Sequence, residues 1–474
     1  MKKIFITCLF AAASTITICQ NVGVGTSNPT EKLEVAGNVK ANGIKIVPNA
    51  GSGKVLTSDA NGNGSWQQVT ASGGGDGASS WGDCTMNGVG GYQAVGDTAG
   101  AEDDHLGYKV AISGDFAIAS APFDDIGANV DQGSVSFFHF TGSSWELLQK
   151  ITEAAGSAGD FFGAGIAING NYAIIGTPGD DLGVNINQGS ASIYHYNGSS
   201  WVFLQKLNDP NGQQEDLFGI SVSIDGNFAV AGANGDDIGP NNEQGSACIF
   251  RNTGGVWGFM QKINDAFGAI DDAYGTSVTV AGNNIIVGSP GDDITTQIDQ
   301  GSALFYFFNG SSWVLRIKLT DANGGTNDNF GHSVSVSGNY AAIGSPVSDW
   351  IKVDQGVVNL YRLNGVNWEF FQRLASDEPD VTDGFGFSVT LSGNYLVVGI
   401  PYDNVGPVDN KGSATIFEKV GIGWAKVQYL HDKMGRPDDD FGYNVAIDGN
   451  TKRFLAGVFG YGKESGKIVF GKVY

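Results

Sequence analysis

With 474 residues, 49 acidic against 26 basic side chains and a formal charge of −23, the chain is repelled by nucleic acid and by anionic membrane surfaces, and both are disfavoured as partners. Glycine reaches 73 residues without any long polar tract, which fits a chain rich in tight turns and excludes a disordered one. Beyond the first nineteen residues no apolar run approaches the length of a membrane-spanning helix, so no membrane span is expected.

Residues 1–19 place Lys2 and Lys3 ahead of an apolar run from Ile4 to Cys19 and read as a Sec-type secretory signal peptide. Ile18 stands where a lipid-anchored chain needs a small residue, which disfavours an anchor at Cys19. Loss of the two lysines leaves 24 basic residues against 49 acidic ones, a charge of −25. The expected address is extracellular, at the cell surface or in the periplasm. Residues 20–70 alternate short apolar runs with Gly and Asn turns and read as a short β-rich, stalk-like segment. About fifty residues hardly bury a core of their own, so residues 21–70 are expected to self-associate or to stay mobile. Residues 71–80, ASGGGDGASS, read as a Gly/Ser linker, and residues 81–474 as the main domain.

That domain repeats. A Phe-Gly or its variant places glycine at 107, 163, 219, 275, 331, 386 and 442, a period of 55 or 56 residues. Within residues 160–207, four runs rich in β-branched and aromatic residues, near Ile166–Ile168, Tyr172–Gly176, Ser190–Tyr196 and Trp201–Leu207, predict four strands. Asn169-Gly170 and its equivalents, from Ser113-Gly114 through Asp448-Gly449, predict tight hairpins between the first two strands. Asn197-Gly198 predicts another between the third and fourth. Four antiparallel strands per period describe a propeller blade, so the fold class is all-β, a seven-bladed β-propeller. The seventh copy ends at its third strand. Val89 to Val95, with Gln93 one period before Gln149, is expected to complete it and close the ring.

The Phe162-Gly163 pair with Gly176-Thr177-Pro178, recurring as Tyr274-Gly275 with Gly288-Ser289-Pro290 and as Phe330-Gly331 with Gly344-Ser345-Pro346, resembles the bacterial form of the FG-GAP repeats of integrin α-subunit propellers. The resemblance covers residues 88–474 and implies interaction rather than catalysis. It carries over no metal ligand, because the family's calcium loop lies between the first and second strands, where this chain has a two-residue turn.

After the second strand comes a pair of acids: Asp124-Asp125, Asp180-Asp181, Asp236-Asp237 and Asp292-Asp293, reduced to Ser348-Asp349 and Asp403-Asn404. These loops share a face with the blade-to-blade connections and with Asp160, Asp216, Asp272, Asp328, Asp383 and Asp440. Such oxygen-rich loops suit Ca²⁺; the plainer reading is that the carboxylates cap turns. Six tryptophans at one repeat position read as packing residues of the outer strand, with ligand stacking the alternative. Trp350 departs from the repeat in a shortened loop, and so does the insertion around Thr451 to Arg453; both mark sectors where a ligand would break the symmetry. His332, just after Phe330-Gly331, is placed to face the central channel. Of the cysteines outside the leader, Cys84 and Cys248 read as free thiols. The functional expectation is a binding or adhesion protein that recognises a protein or glycan through the acidic loop face. The alternatives are a polysaccharide lyase or hydrolase, which would use an asymmetric carboxylate pair, and a structural, fibre-like surface component.

Overall fold

The computed structural model describes the backbone of four short strands between residues 22 and 68 and, beyond them, residues 92–96, 103–432, 435–460 and 466–473. The expected signal peptide, the linker at 71–80 and Cys84 lie outside the described residues. The chain divides into two units, Met1–Ser79 and Ser80–Tyr474. In the first, Val22–Val24 pairs in parallel with Leu33–Val35, and Lys54–Ser58 pairs antiparallel with Gly64–Gln68.

The second unit consists of seven sheets of four antiparallel strands. In the second sheet the strands are Gly165–Asn169, Tyr172–Thr177, Ser190–Tyr196 and Trp201–Leu207, hydrogen-bonded in that order. The first strands of successive sheets pack side by side, and Phe441–Asp448 of the seventh lies against Val110–Ser113 of the first. The result is a seven-bladed β-propeller. Among the described residues there is no helix long and apolar enough to cross a membrane.

Burial explains the composition of each strand. The second strands, such as Tyr172–Thr177 and Phe228–Ala233, are buried along nearly their whole length because a blade covers each face. They therefore carry continuous runs of small and branched apolar residues instead of an alternating pattern. Outer strands such as Trp201–Leu207 bury only their ends.

The repeated glycines sit where adjacent blades come closest. Gly219 has φ +97°, and a Cβ there would collide with the Ser190 carbonyl; a Cβ on Gly176 would fall onto the carbonyl oxygen of Gly219. The same clash recurs between Gly232 and Gly275, Gly288 and Gly331, Gly344 and Gly386, Gly399 and Gly442, and Gly457 and Gly107. Phe-Gly and Gly-Thr-Pro are thus the two halves of one interface, and only glycine satisfies both the left-handed backbone and the close approach.

Farther out, tryptophan fills the gap. Trp201 packs on Phe137 and Phe116 of the preceding blade, with ring centroids 4.8 and 5.5 Å away, and Trp145 stacks on Phe470 of the seventh blade at 4.9 Å. All six repeated tryptophans are buried, in accord with the packing reading. Beside five of these six interfaces a glutamine imitates a peptide group; at the one with Trp368 the repeat position is Ile317. Gln149 Nε2 donates to the Trp201 carbonyl at 3.2 Å while its Oε1 accepts from Trp201 N–H at 3.0 Å. Gln93, Gln205, Gln261 and Gln372 clasp Trp145, Trp257, Trp313 and Trp424 in the same way.

The seventh sheet takes three strands from the carboxyl end and Gln93–Gly96 from the amino end, paired with Lys467–Lys472. The part of the expected closing strand before Tyr92 lies outside the described residues. Two turns differ from expectation. Asp448 pairs with Arg453, so the seventh hairpin holds four residues, with the positive φ on Lys452 and not on Gly449. Tyr196 pairs with Trp201 across a four-residue loop in which Asn197 Oδ1 accepts the Ser199 and Ser200 amides; this side chain stabilises a longer turn than a tight pair.

Because Trp201 fills an interface that cannot collapse without moving a whole blade, Trp201→Ala is expected to cost about 3–5 kcal/mol. Equilibrium denaturation measures it, and an unchanged midpoint would contradict the packing role.

Candidate functional site

Each loop between second and third strands uses its two acids differently. The second acid is exposed and caps the loop: Asp125, Asp181, Asp237 and Asp293 each accept at 2.9 Å, through Oδ1, the amide six residues on. Asp349 does so five residues on at 2.8 Å, and Asn404 takes the role in the sixth blade. The capped residues, Asp131, Asn187, Glu243, Asp299, Asp354 and Asn410, all have positive φ between 45° and 55°, a conformation the cap stabilises.

The first acid is buried and belongs to the blade. Asp124 Oδ2 accepts from Ser134 Oγ at 2.5 Å and pairs with Lys150 Nζ at 2.7 Å. Asp236 binds Ser246 and Lys262, Asp292 binds Ser302 and Lys318, and Asp403 binds Ser413 and, at 2.6 Å, the Tyr429 hydroxyl. Asp180 meets Lys206 at 2.5 Å. These lysines also reach back to the preceding connection: Lys206 to Glu153 at 2.7 Å, Lys262 to Asp209 at 2.6 Å and Lys318 to Asp265 at 2.6 Å. One ammonium therefore ties its own blade to the connection before it. Neither this lysine row nor the acids at 153, 209, 265 and 321 stood out from the sequence. The signal is there: Lys150, Lys206, Lys262, Lys318 and Arg373 keep the period of 55 or 56 residues.

The fifth blade varies the device as a set. Ser348 replaces the buried acid, Arg373 replaces lysine and donates to both carboxylate oxygens of Asp321 at 2.5 Å, and Asn359 bridges the two. Trp350, 49% exposed, lies over the guanidinium at 4.4 Å. Ile351, Val353 and Val381 are exposed in the same sector, and Val353 O accepts the amide next to Val381, from Thr382.

A third row of acids sits at the blade connections. Asp160, Asp216, Asp272 and Asp383 accept backbone amides three residues earlier and are almost wholly buried. Burial pushes Asp160, Asp272 and Asp383 up to about 6 and Asp216 up to about 7, with neighbouring carboxylates adding to the shift and amide hydrogen bonds opposing it. Burial and the adjacent Asp438 and Asp439 raise Asp440 to about 7. The elevation recurs with the fold and the groups are covered, so it marks the architecture rather than a proton-transfer pair.

Among the described residues, carboxylate oxygens of Asp209, Asp216 and Asp236 lie within 4.8 Å of one another. Two of these three acids hold the Lys262 ammonium. Cys248, the neighbouring thiol, is buried and free, and burial raises its pKa well above the usual value.

Where the blades meet the channel on the loop face, the symmetry breaks. The residue after each Phe-Gly glycine is Tyr108, Ala164, Ile220, Thr276, His332, Phe387 and Tyr443 in turn. Four consecutive blades, the fifth through the seventh and then the first, thus carry rings. Tyr443 stacks on Phe459 at 4.5 Å and lies 4.8 Å from Phe387; Phe459 stacks on His105 at 4.2 Å, and His332 lies 4.7 Å from Phe387. Tyr108, Phe123 and Phe161 extend the arc. Every one of these rings is half-buried, which leaves a continuous aromatic surface open to solvent. His332, expected at the channel, is part of it: Nδ1 donates to the Phe387 carbonyl at 3.1 Å, and burial lowers its pKa to about 4, so the ring is neutral at pH 7. The arc itself was missed; comparing the residue after Phe-Gly across copies finds it.

The family model of the FG-GAP repeat matches residues 97–138, 145–194, 201–250, 257–306, 313–361 and 368–417, about three fifths of the chain. Most of these stretches begin at one blade's outer strand and end in the third strand of the next, so the repeat of the sequence is offset from the blade. No curated protein matches the chain.

The buried acids set a pH dependence. Their folded pKa values exceed the unfolded value, so the stability they contribute is full below about pH 4 and is lost as pH rises through 6 to 7. His332, lowered, acts in the opposite sense below its ordinary value, as one group against five. The melting temperature is expected to be higher at about pH 5.5 than at about pH 8. Asp216→Asn should narrow that difference, and a midpoint that falls on acidification in this range contradicts the assignment.

Proposed function

The chain belongs to the FG-GAP repeat family, and on that premise we propose that it is an exported binding protein, acting in adhesion or envelope recognition, that takes a protein or glycan ligand on the loop face of its propeller. The observation that carries this reading is the half-buried aromatic arc around Tyr443, Phe387 and Tyr108 at the channel mouth. Packing alone does not require it, because the third and fourth blades fill the same positions with Ile220 and Thr276. A surface of half-buried rings offers large contact area at small entropic cost, as binding sites do. The buried acids Asp124, Asp180, Asp236, Asp292 and Asp403 serve the framework. On this reading the exposed Asp125, Asp181, Asp237, Asp293 and Asp349, with Trp350, are available to a ligand on the same loop face.

Calcium enters this reading at one place, the Asp209, Asp216 and Asp236 triad, and there it would have to displace the Lys262 ammonium. The fixed cation already occupies the space between two of the three acids. The melting midpoint is therefore expected to be the same in millimolar calcium and in chelator; a rise with calcium would establish a specific ion, since binding to the folded state must stabilise it.

The binding reading is tested by screening the protein against glycan and envelope-protein arrays, with Tyr443→Ala beside the wild type. Ligands retained by the wild type and lost by the variant, at unchanged melting temperature, are expected. Equal retention by the two would remove the channel mouth as the site.

A further inference from the structure

Lys109 is the anomaly of the channel. It occupies the second position after the Phe-Gly glycine, where other blades have Gly165, Ser221, Ser277, Ser333, Ser388 and Asn444. In those blades the side chain serves the ring: Ser221, Ser277 and Ser333 donate at 2.7 Å to the carbonyls of Gly275, Gly331 and Gly386 in the next blade. Lys109 makes no such bond through its side chain. Its own amide and carbonyl meet Ser120 Oγ, and the ammonium lies 5.4 Å above the Tyr108 ring. Among the described residues Nζ has neither an ion pair nor a hydrogen-bond acceptor, whereas Lys150, Lys206, Lys262 and Lys318 at the blade ends each meet a carboxylate. The next blade presents only Ala164 and Gly165 at this level, which leaves room for the long stem.

Lys109 directly precedes the first strand of the first blade and His332 that of the fifth, three blades apart by the shorter way round the ring, and the Lys109 charge adds to the lowering that burial imposes on His332. Enclosure lowers the lysine to about 8, which leaves it mostly protonated at pH 7. His332 uses Nδ1–H on the Phe387 carbonyl, so its Nε2 carries a lone pair that can accept a hydroxyl proton. A half-buried ammonium without a counter-ion among the described residues is stabilised by a ligand that supplies one. The formal charge of −23 on the chain opposes a polyanion, which narrows the ligand to one with a single negative group.

Resting on the binding function proposed above, we infer that the channel mouth recognises a hydroxylated ring bearing one carboxylate, an acidic sugar residue. Lys109 pairs with the carboxylate, Tyr108 and Tyr443 cover the ring face and His332 Nε2 accepts a hydroxyl. Aromatic faces suit the C–H face of a sugar, and the ammonium separates the acid from its neutral counterpart.

Titration calorimetry of the full chain with sodium glucuronate, glucose, benzoate and a glutamate-rich peptide tests this. Glucuronate is expected to bind at least tenfold more tightly than glucose, benzoate and the peptide. Lys109→Ser, which restores the common residue of the repeat, should abolish the preference over glucose, and Lys109→Arg should keep most of it. Absence of glucuronate binding by the wild type at tens of millimolar, an undiminished preference in folded Lys109→Ser, or equal binding of benzoate or the peptide would each overturn the inference. A neutral glycan bound in a Tyr443-dependent and Lys109-independent manner overturns it too while leaving the binding function intact. Indifference of every ligand to Tyr443→Ala removes both.

Discussion

The propeller depends on how closely two twisted sheets can approach at the channel. At the pair formed by Gly176 and Gly219, and at its equivalents, one blade's backbone rests on the carbonyl of the next with no space for a Cβ. Sheets that touch there must splay apart outward, because each is a rigid twisted layer. The widening gap is what Trp201 and its five counterparts fill, and a glutamine clasp at the backbone of five of the six fixes the angle. Glycine inside, tryptophan outside and glutamine beside it are therefore one constraint met at three radii.

The acidity of the chain has a similar origin in large part. Loops that turn sharply between buried strands leave amides and positive-φ residues to be satisfied, and short carboxylates do this without adding bulk. Each acid pair divides the work between an exposed cap and a buried partner for lysine. The lysine in turn links consecutive blades, so a single ion-paired knot replaces the apolar packing that thin loops cannot supply. Abundant carboxylate on one face is thus a product of the fold, and the candidate for recognition is the place where the pattern is abandoned.

That place shows the limits of reading by period. Phe330-Gly331 and His332 were visible as a motif and a neighbour, and the channel followed from the strand count. The meeting of Tyr443 with Phe459, and of Phe459 with His105, joins residues from opposite ends of the chain across the closing blade. Trp350 appeared as an isolated aromatic, yet it belongs to a concerted change with Ser348, Asn359 and Arg373, residues spread over 26 positions that only the folded sheet brings together.

By itself the sequence determined the class and number of modules, the strand order within each and the packing role of the tryptophans, and it offered turn capping as one reading of the loop carboxylates. All of these follow from local pattern repeated at a fixed period, and local pattern is what alternation and turn chemistry encode. The tertiary structure alone decided which acids face lysine, that Lys109 stands without a counter-ion among the described residues, and that rings from four blades and the closing hairpin merge into one surface. Those outcomes depend on contacts between blades, whose geometry is set by the closure of the ring and is written in no single repeat.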